Sequence, residues 1–230
     1  MLNDTVACAL GAKALFKEKY SSYLGLIYGT GMNICYEEES INIKKITKKT
    51  FEKMLINTEC GDYNKLPKGR FDLITILNSS DDKKGLAEKH CSGLYLPKII
   101  YYALLIAKDS GLIKSEIREF ELKEISDFLN NTHCSRLFMK KDKLFIKYLI
   151  MDLIKRAAKI VAILTMGFAK RIKIKENEKL CIACEGTTFE KLPYFQDYFK
   201  EYLKQLDINY DVVVVKDANL IGSLYASFIK

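Results

Sequence analysis

A chain of 230 residues is long enough for one large domain or two small ones, with a sizeable buried core. Apolar residues at 49% and charged residues at 29% exclude a disordered chain, a collagen-like repeat and a membrane-embedded protein. Lys and Arg number 37 against 29 Asp and Glu, a net +8, yet only five of the 37 are Arg. Arg is the residue preferred for bidentate phosphate and base contacts, and no basic-aromatic motif accompanies the charge. Neither nucleic acid nor a membrane is expected as a partner. The seven Cys, odd in number and unevenly spaced, fit a reducing compartment. With no signal-peptide pattern at the N-terminus, the expected location is cytoplasmic.

In chain order, Leu2-Asn3-Asp4-Thr5-Val6 sets an amide and an acid at the start of a helical run. Two β-rich runs follow, Leu24–Tyr28 and Ile34–Tyr36, hinged on Gly29-Thr30-Gly31 as a hairpin. Met54–Thr58 reads as a strand and 59–70 as a loop, while Phe71–Leu77 fits strand or helix. From Gly85 the apolar period lengthens, predicting helices over 88–108, 119–130 and 143–170. The longest apolar stretch, Leu144–Phe168, is interrupted by Lys147, Asp152, Lys155, Arg156 and Lys159, so it is expected as a core helix and not a bilayer span. Leu180–Glu185 reads as a strand, 193–206 as a helix, Asp211–Val215 as a strand buried on both apolar faces, and Leu220–Phe228 as a last helix. Strands and helices in this order predict one α/β domain with a mixed sheet.

Several local features are weak by themselves. Cys181-x-x-Cys184 has zinc-like spacing but no second pair, and on a strand its side chains face opposite ways, so buried thiols are expected. The pair His133-Cys134, and His90 beside Glu88, read as incidental polar positions. The Lys clusters at 44–49 and 140–143 read as solvated loops.

The order of the pieces says more. Asn3-Asp4-Thr5, then Gly29-Thr30-Gly31-Met32-Asn33-x-Cys35-Tyr36, then Asn57-Thr58-Glu59-Cys60-Gly61, then Glu88-Lys89-x-x-Ser92-Gly93-Leu94-Tyr95-Leu96, then Glu185-Gly186-Thr187 lie along the whole chain. This succession resembles the eukaryotic-type hexokinase family, in particular its large C-terminal domain, whose pattern reads NDT, GTGxNxCY, NTEWGxF, FEKMxSGxYLGE and DGT. The resemblance implies a ribonuclease-H-like fold of the actin and hexokinase type, a mixed sheet flanked by helices. It also implies transfer of the ATP γ-phosphoryl group to the 6-hydroxyl of a hexose such as glucose, with ATP and Mg²⁺ as cofactors.

Carried over residue by residue, the resemblance makes Asp4 the catalytic base, and Asn3, Asp4, Glu59 and Glu88 the sugar-binding residues. Carboxylates suit sugar hydroxyls because each accepts two or more bonds. From its local context alone, Asp4 fits a helix cap equally well. Thr30, Gly93, Ser126, Gly186, Thr187 and Asn219 fall on the nucleotide side; no metal ligand is expected in the chain, magnesium being held through the nucleotide and a second lobe.

Departures are concentrated on the nucleotide side. Leu122 stands where the family has Thr, Pro97 where it has Gly, and Asp217-Ala218-Asn219-Leu220-Ile221-Gly222 replaces Asp-Gly-Ser-Gly-Lys-Gly. Nearer the sugar, Cys60 replaces Trp and Asp62-Tyr63 replaces Ala-Phe. The family's smaller N-terminal domain supplies a Gly-rich phosphate loop, and nothing in residues 1–230 matches it. The whole chain is therefore expected to be the large domain, its implied partners being the hexose, ATP and the absent N-terminal lobe. The alternative is a non-catalytic sugar-binding or regulatory module that kept the fold.

Overall fold

Helix α1 (Asp4–Phe16) begins at Asn3, whose side-chain oxygen accepts the Thr5 N–H at 3.0 Å, a regular N-cap. Residues 2–17, 19–47, 51–131 and 137–228 are described by the computed structural model of the chain. After α1 come β1 (Ser22–Tyr28), β2 (Met32–Glu39) and β3 (Lys53–Asn57), the hairpin turning at Gly29-Thr30-Gly31 as its glycines predict. Helices α2 (Arg70–Leu77), α3 (Glu88–Cys91), α4 (Leu96–Asp109), α5 (Leu122–Leu129) and α6 (Lys143–Ala169) follow. Then β4 (Leu180–Glu185), α7 (Thr187–Lys191), α8 (Phe195–Leu203), β5 (Tyr210–Val214) and α9 (Ala218–Phe228) complete the order.

The five strands form one sheet in the order β3-β2-β1-β4-β5. β1 pairs antiparallel with β2 and parallel with β4, and β5 continues the parallel half. Period-two alternation divides the strand side chains between two cores. Leu24, Leu26, Tyr28, Ile34, Ile182 and Cys184 join the core shared with the middle helices, in which α6 buries Ile146, Ile150, Ile154, Ala157 and Val161 at helical spacing. Tyr23, Cys35, Cys181 and Ala183 join the core under α1 and α9. Cys181 and Cys184 thus lie on opposite faces as the strand reading requires, and all six described cysteines are free and buried. No described helix is long and apolar enough to cross a membrane.

Four sequence expectations change. The helix expected over 88–108 is two helices, because the chain at 92–95 turns to hydrogen-bond the hairpin: Gly93 N–H donates to Gly29 O (2.9 Å) and Leu94 N–H to Thr30 O (3.1 Å). Pro97, which lacks an N–H, sits in the first turn of α4, where none is needed. The helix expected over 193–206 starts at Phe195, preceded by the short α7 and a left-handed Tyr194 (φ 65°). The 211–215 strand does touch apolar side chains on both faces, Val212 and Val214 on one and Val213 on the other. As the outermost strand it is nonetheless only half-buried. His90, read as incidental, is buried against Asp72 and Arg156. The undecided 71–77 segment is helical, and the lysines at 44, 45, 140 and 141 are exposed. His133, Cys134, Lys48 and Lys49 lie outside the described residues.

Candidate active site

Open α/β sheets bind ligands beyond the carboxyl ends of their strands, where loops are freest to diverge. Here β1 runs into Gly29-Thr30, β3 into Thr58-Glu59, β4 into Gly186-Thr187 and β5 toward Asp217-Ala218-Asn219. The N-terminus of α1 reaches the same edge through Thr5, which bridges to β2. Every candidate site residue, apart from Ser126, Glu88 and Gly93, follows a strand end or lies at the start of α1. Glu88 and Gly93 reach the edge through hydrogen bonds to the hairpin turn.

On one side a polar ribbon crosses three elements. Asn3 Oδ1 accepts from the Thr5 N–H and hydroxyl. Asn33 Nδ2 donates to Thr5 Oγ1 at 3.5 Å and to Asn57 Oδ1 at 2.7 Å, and Asn57 Nδ2 donates to Glu59 Oε1 at 2.6 Å. Glu59 is exposed and held in a left-handed conformation (φ 48°). Glu88 Oε1 accepts the Met32 N–H at 2.8 Å, one residue before Asn33. Asn3, Glu59 and Glu88 are therefore tied into one neighbourhood. Asp4 is exposed, its carboxylate accepting the Thr5 N–H at 2.8 Å, while the capping position belongs to Asn3. Asn3 and Asp4 thus share the Thr5 N–H at the start of α1.

On the other side lies a backbone cradle. Thr188 Oγ1 donates to Gly29 O at 3.0 Å, beside the Gly93 N–H that donates to the same carbonyl. A Cβ on Gly93 would sit 2.5 Å from Gly29 O. Gly186, at φ 128°, packs on the Tyr28 carbonyl in a conformation open to glycine. Thr30 and Thr187 are exposed at the tips of these turns. Ser126 and Thr187 line one cleft of about 490 Å³ together with Leu122 and Lys191. Gly93 and Leu122 line an adjoining one of about 260 Å³. Asn219 lies in the first turn of α9.

Three contributors escaped the sequence reading. Asn33 and Asn57 link the ribbon, and their presence inside the GTGxNxCY and NTE stretches was the available signal. Glu185 is the third. Burial pushes its carboxyl up, and the negative charges of Glu190, Asp217 and Asp4 add to the shift. Glu185 Oε2 and the Ser92 hydroxyl are buried side-chain atoms without a hydrogen-bond partner. Buried groups of this kind are costly unless something completes them, and both lie beside the cradle. The described residues contain no cluster of three or more His, Cys, Asp or Glu arranged to hold a metal.

The mixed sheet flanked by helices is the fold of the actin and hexokinase type. The chain belongs to the hexokinase family: the family profile described as Hexokinase matches residues 23–228. Hexokinase-3 of Arabidopsis thaliana is 26% identical over 97% of this chain and 53% of its own length. The chain thus spans about half the length of this curated relative. The hexokinase from Schistosoma mansoni, solved in complex with glucose, superposes with a TM-score of 0.84 at 20% identity, over 99% of this chain and 57% of that one. A ROK family glucokinase from Streptomyces griseus, solved with glucose and AMPPNP, gives 0.51 at 15% identity over 96% of this chain and 65% of that one.

Proposed function

We propose that these residues form the large lobe of an ATP-dependent hexokinase that phosphorylates the 6-hydroxyl of a hexose such as glucose. The observation carrying the proposal is the convergence of Asp4, Glu59 and Glu88 through the Asn3–Thr5–Asn33–Asn57 ribbon, next to a backbone cradle. Asp4 takes the proton from the attacking hydroxyl, a task for an accessible carboxylate. Asn3, Glu59 and Glu88 hold the other hydroxyls, and Asn57 orients Glu59. A site built to bond each hydroxyl rejects sugars lacking one, since its own polar groups are then left unpaired.

The residues of the cradle fit a nucleotide. Gly93 and Gly186 bring main chain close where a side chain would collide. Thr30 supplies a hydroxyl toward the phosphates, and Ser126, Thr187 and Asn219 border the rest of the nucleotide. ATP supplies the phosphoryl group. The Mg²⁺ accompanying it would be held through the phosphates and a second lobe. The smaller lobe, with its Gly-rich phosphate loop, is the implied partner.

Glucose-dependent ADP release tests the reading. The 230 residues alone are expected to turn over near background, because phosphoryl transfer needs both walls of a cleft to orient the reactants and exclude water. Adding the small lobe of a hexokinase is expected to restore turnover. Silence in both assays, with folded lobes that associate, would favour the non-catalytic sugar-binding module.

A further inference from the structure

Helix α3 is a single turn, too short to hold its own shape, yet it carries Glu88. Three consecutive side chains fasten it in three directions. Glu88 reaches the hairpin at the Met32 N–H. Lys89, 3% exposed, donates to the carbonyls of Asp81 and Lys84. His90, 1% exposed, places Nδ1 3.1 Å from Asp72 Oδ1 and 3.2 Å from Arg156 Nη2.

Asp72 is the hub of this last tie. It is 2% exposed, accepts Arg156 Nη2 at 2.7 Å on each oxygen, and accepts the Gly69 N–H at 2.7 Å. The cluster thereby joins α2, α3 and α6. At the position of His90 the hexokinase pattern quoted above has Met, which fills space without forming such bonds. Around Glu88 the fit is close: a Cβ on Gly31 would lie 2.5 Å from Glu88 Oε1, and one on Gly61 2.7 Å from its Cγ. A carboxylate packed this tightly has no room to recover its aim if its helix shifts.

We infer that Asp72, with His90 and Arg156, is a positioning assembly that sets hexose affinity by fixing α3 and hence Glu88. The inference rests on the hexokinase reading, in which Glu88 touches the sugar. Loss of the Asp72 charge leaves the buried His90 and the partly exposed Arg156 without their shared carboxylate and frees the lateral anchor of α3. Because the assembly acts through Glu88, its effect must vanish when Glu88 can no longer make its bond.

A double-mutant cycle in the intact protein decides the matter, with glucose titrated calorimetrically well below every unfolding temperature. Asp72→Asn is expected to weaken glucose binding about tenfold and raise KM alike, with kcat changed less than about threefold. In a Glu88→Gln background the same substitution is expected to change affinity less than about twofold. Equal losses in both backgrounds, or unchanged affinity in a folded Asp72→Asn protein, would overturn the inference while leaving the hexokinase reading intact. Wild type that neither binds nor phosphorylates any hexose would overturn both. If Asp72→Asn does not fold, His90 serves: His90→Gln, which keeps a donor, is expected to bind glucose more tightly than His90→Met, and equal affinities would overturn the assembly.

Discussion

The two sides of the site are built on opposite plans. The ribbon from Asn3 to Glu59 is a chain of side chains that already bond one another. The cradle of Gly29, Gly93 and Gly186 is main chain, with two buried polar atoms lacking partners and the apolar Leu122 at its border. A self-bonded ribbon is preorganised and loses little entropy when a ligand arrives. A glycine cradle takes its shape from close approach, so it tolerates changes in neighbouring side chains but not the addition of a Cβ. Departures from the family pattern fall at Leu122 and at 218–221, and at Pro97, Ala218 and Leu220 a glycine of that pattern is lost, while the cradle glycines Gly29, Gly93 and Gly186 are kept.

The largest effect is expected at the reacting oxygen. In an active two-lobed protein, Asp4→Asn is expected to lower turnover by about 10²–10⁴-fold with hexose affinity nearly unchanged, because an amide can bond but cannot take a proton. Paired turnover and titration measurements check it, and unchanged turnover would remove Asp4 from the chemistry. Next comes the cradle itself. Gly186→Ala puts a Cβ against the Tyr28 carbonyl at a backbone angle reserved for glycine. It is expected to cost about 2–4 kcal/mol of stability in urea titrations; a loss no larger than that of an exposed-surface substitution would show that the turn relaxes.

Acid probes the anchoring of α3. Burial alone would raise the carboxyl of Asp72, but the bonds from His90, Arg156 and the Gly69 N–H outweigh it and hold the group below its usual range. A lowered native value means stability that is complete above the ordinary carboxylate range, about pH 4, and lost as pH falls through the native value. Thermal midpoints of the wild type are therefore expected to drop on that limb, and Asp72→Asn is expected to flatten it. An identical slope in both would deny Asp72 its contribution. The smallest effect is expected at the cleft border: Leu122→Thr is expected to tighten nucleotide binding by at most about 1 kcal/mol, the worth of one neutral hydrogen bond. Fluorescent-nucleotide titration measures it, and weaker binding would show that Leu122 packs usefully against the ligand.

The hairpin was legible because its cause is local: two glycines around Thr30, flanked by β-rich runs. The division of Cys181 and Cys184 between two cores followed from strand periodicity alone. The break at 92–95 was not legible, because its cause is a pair of hydrogen bonds to Gly29 and Thr30, more than sixty positions away. His90 was misjudged for the same reason, since its partners Asp72 and Arg156 lie on other helices. Of the site, the motif residues could be carried over from the family pattern. The bonds that join them, through Asn33 and Asn57, required the register in which Asn57 stands opposite Cys35.

Helix α1 rests on α9 as tightly as backbone allows: a Cβ on Gly11 would lie 2.6 Å from the Ala218 carbonyl, and one on Gly222 2.6 Å from the Ala7 carbonyl carbon. Asp4 begins one helix and Ala218 the other, 218 − 4 = 214 positions apart in the sequence. During synthesis α1 leaves the ribosome well before α9, so the helix that begins at Asp4 waits without its packing partner while the residues between them are made. Assembly of the site is thereby deferred until α9 has cleared the exit tunnel. Limited proteolysis of nascent chains stalled just before and well after that release would register the delay as a loss of cleavage within α1, and equal protection at both lengths would mean that the sheet alone seats it.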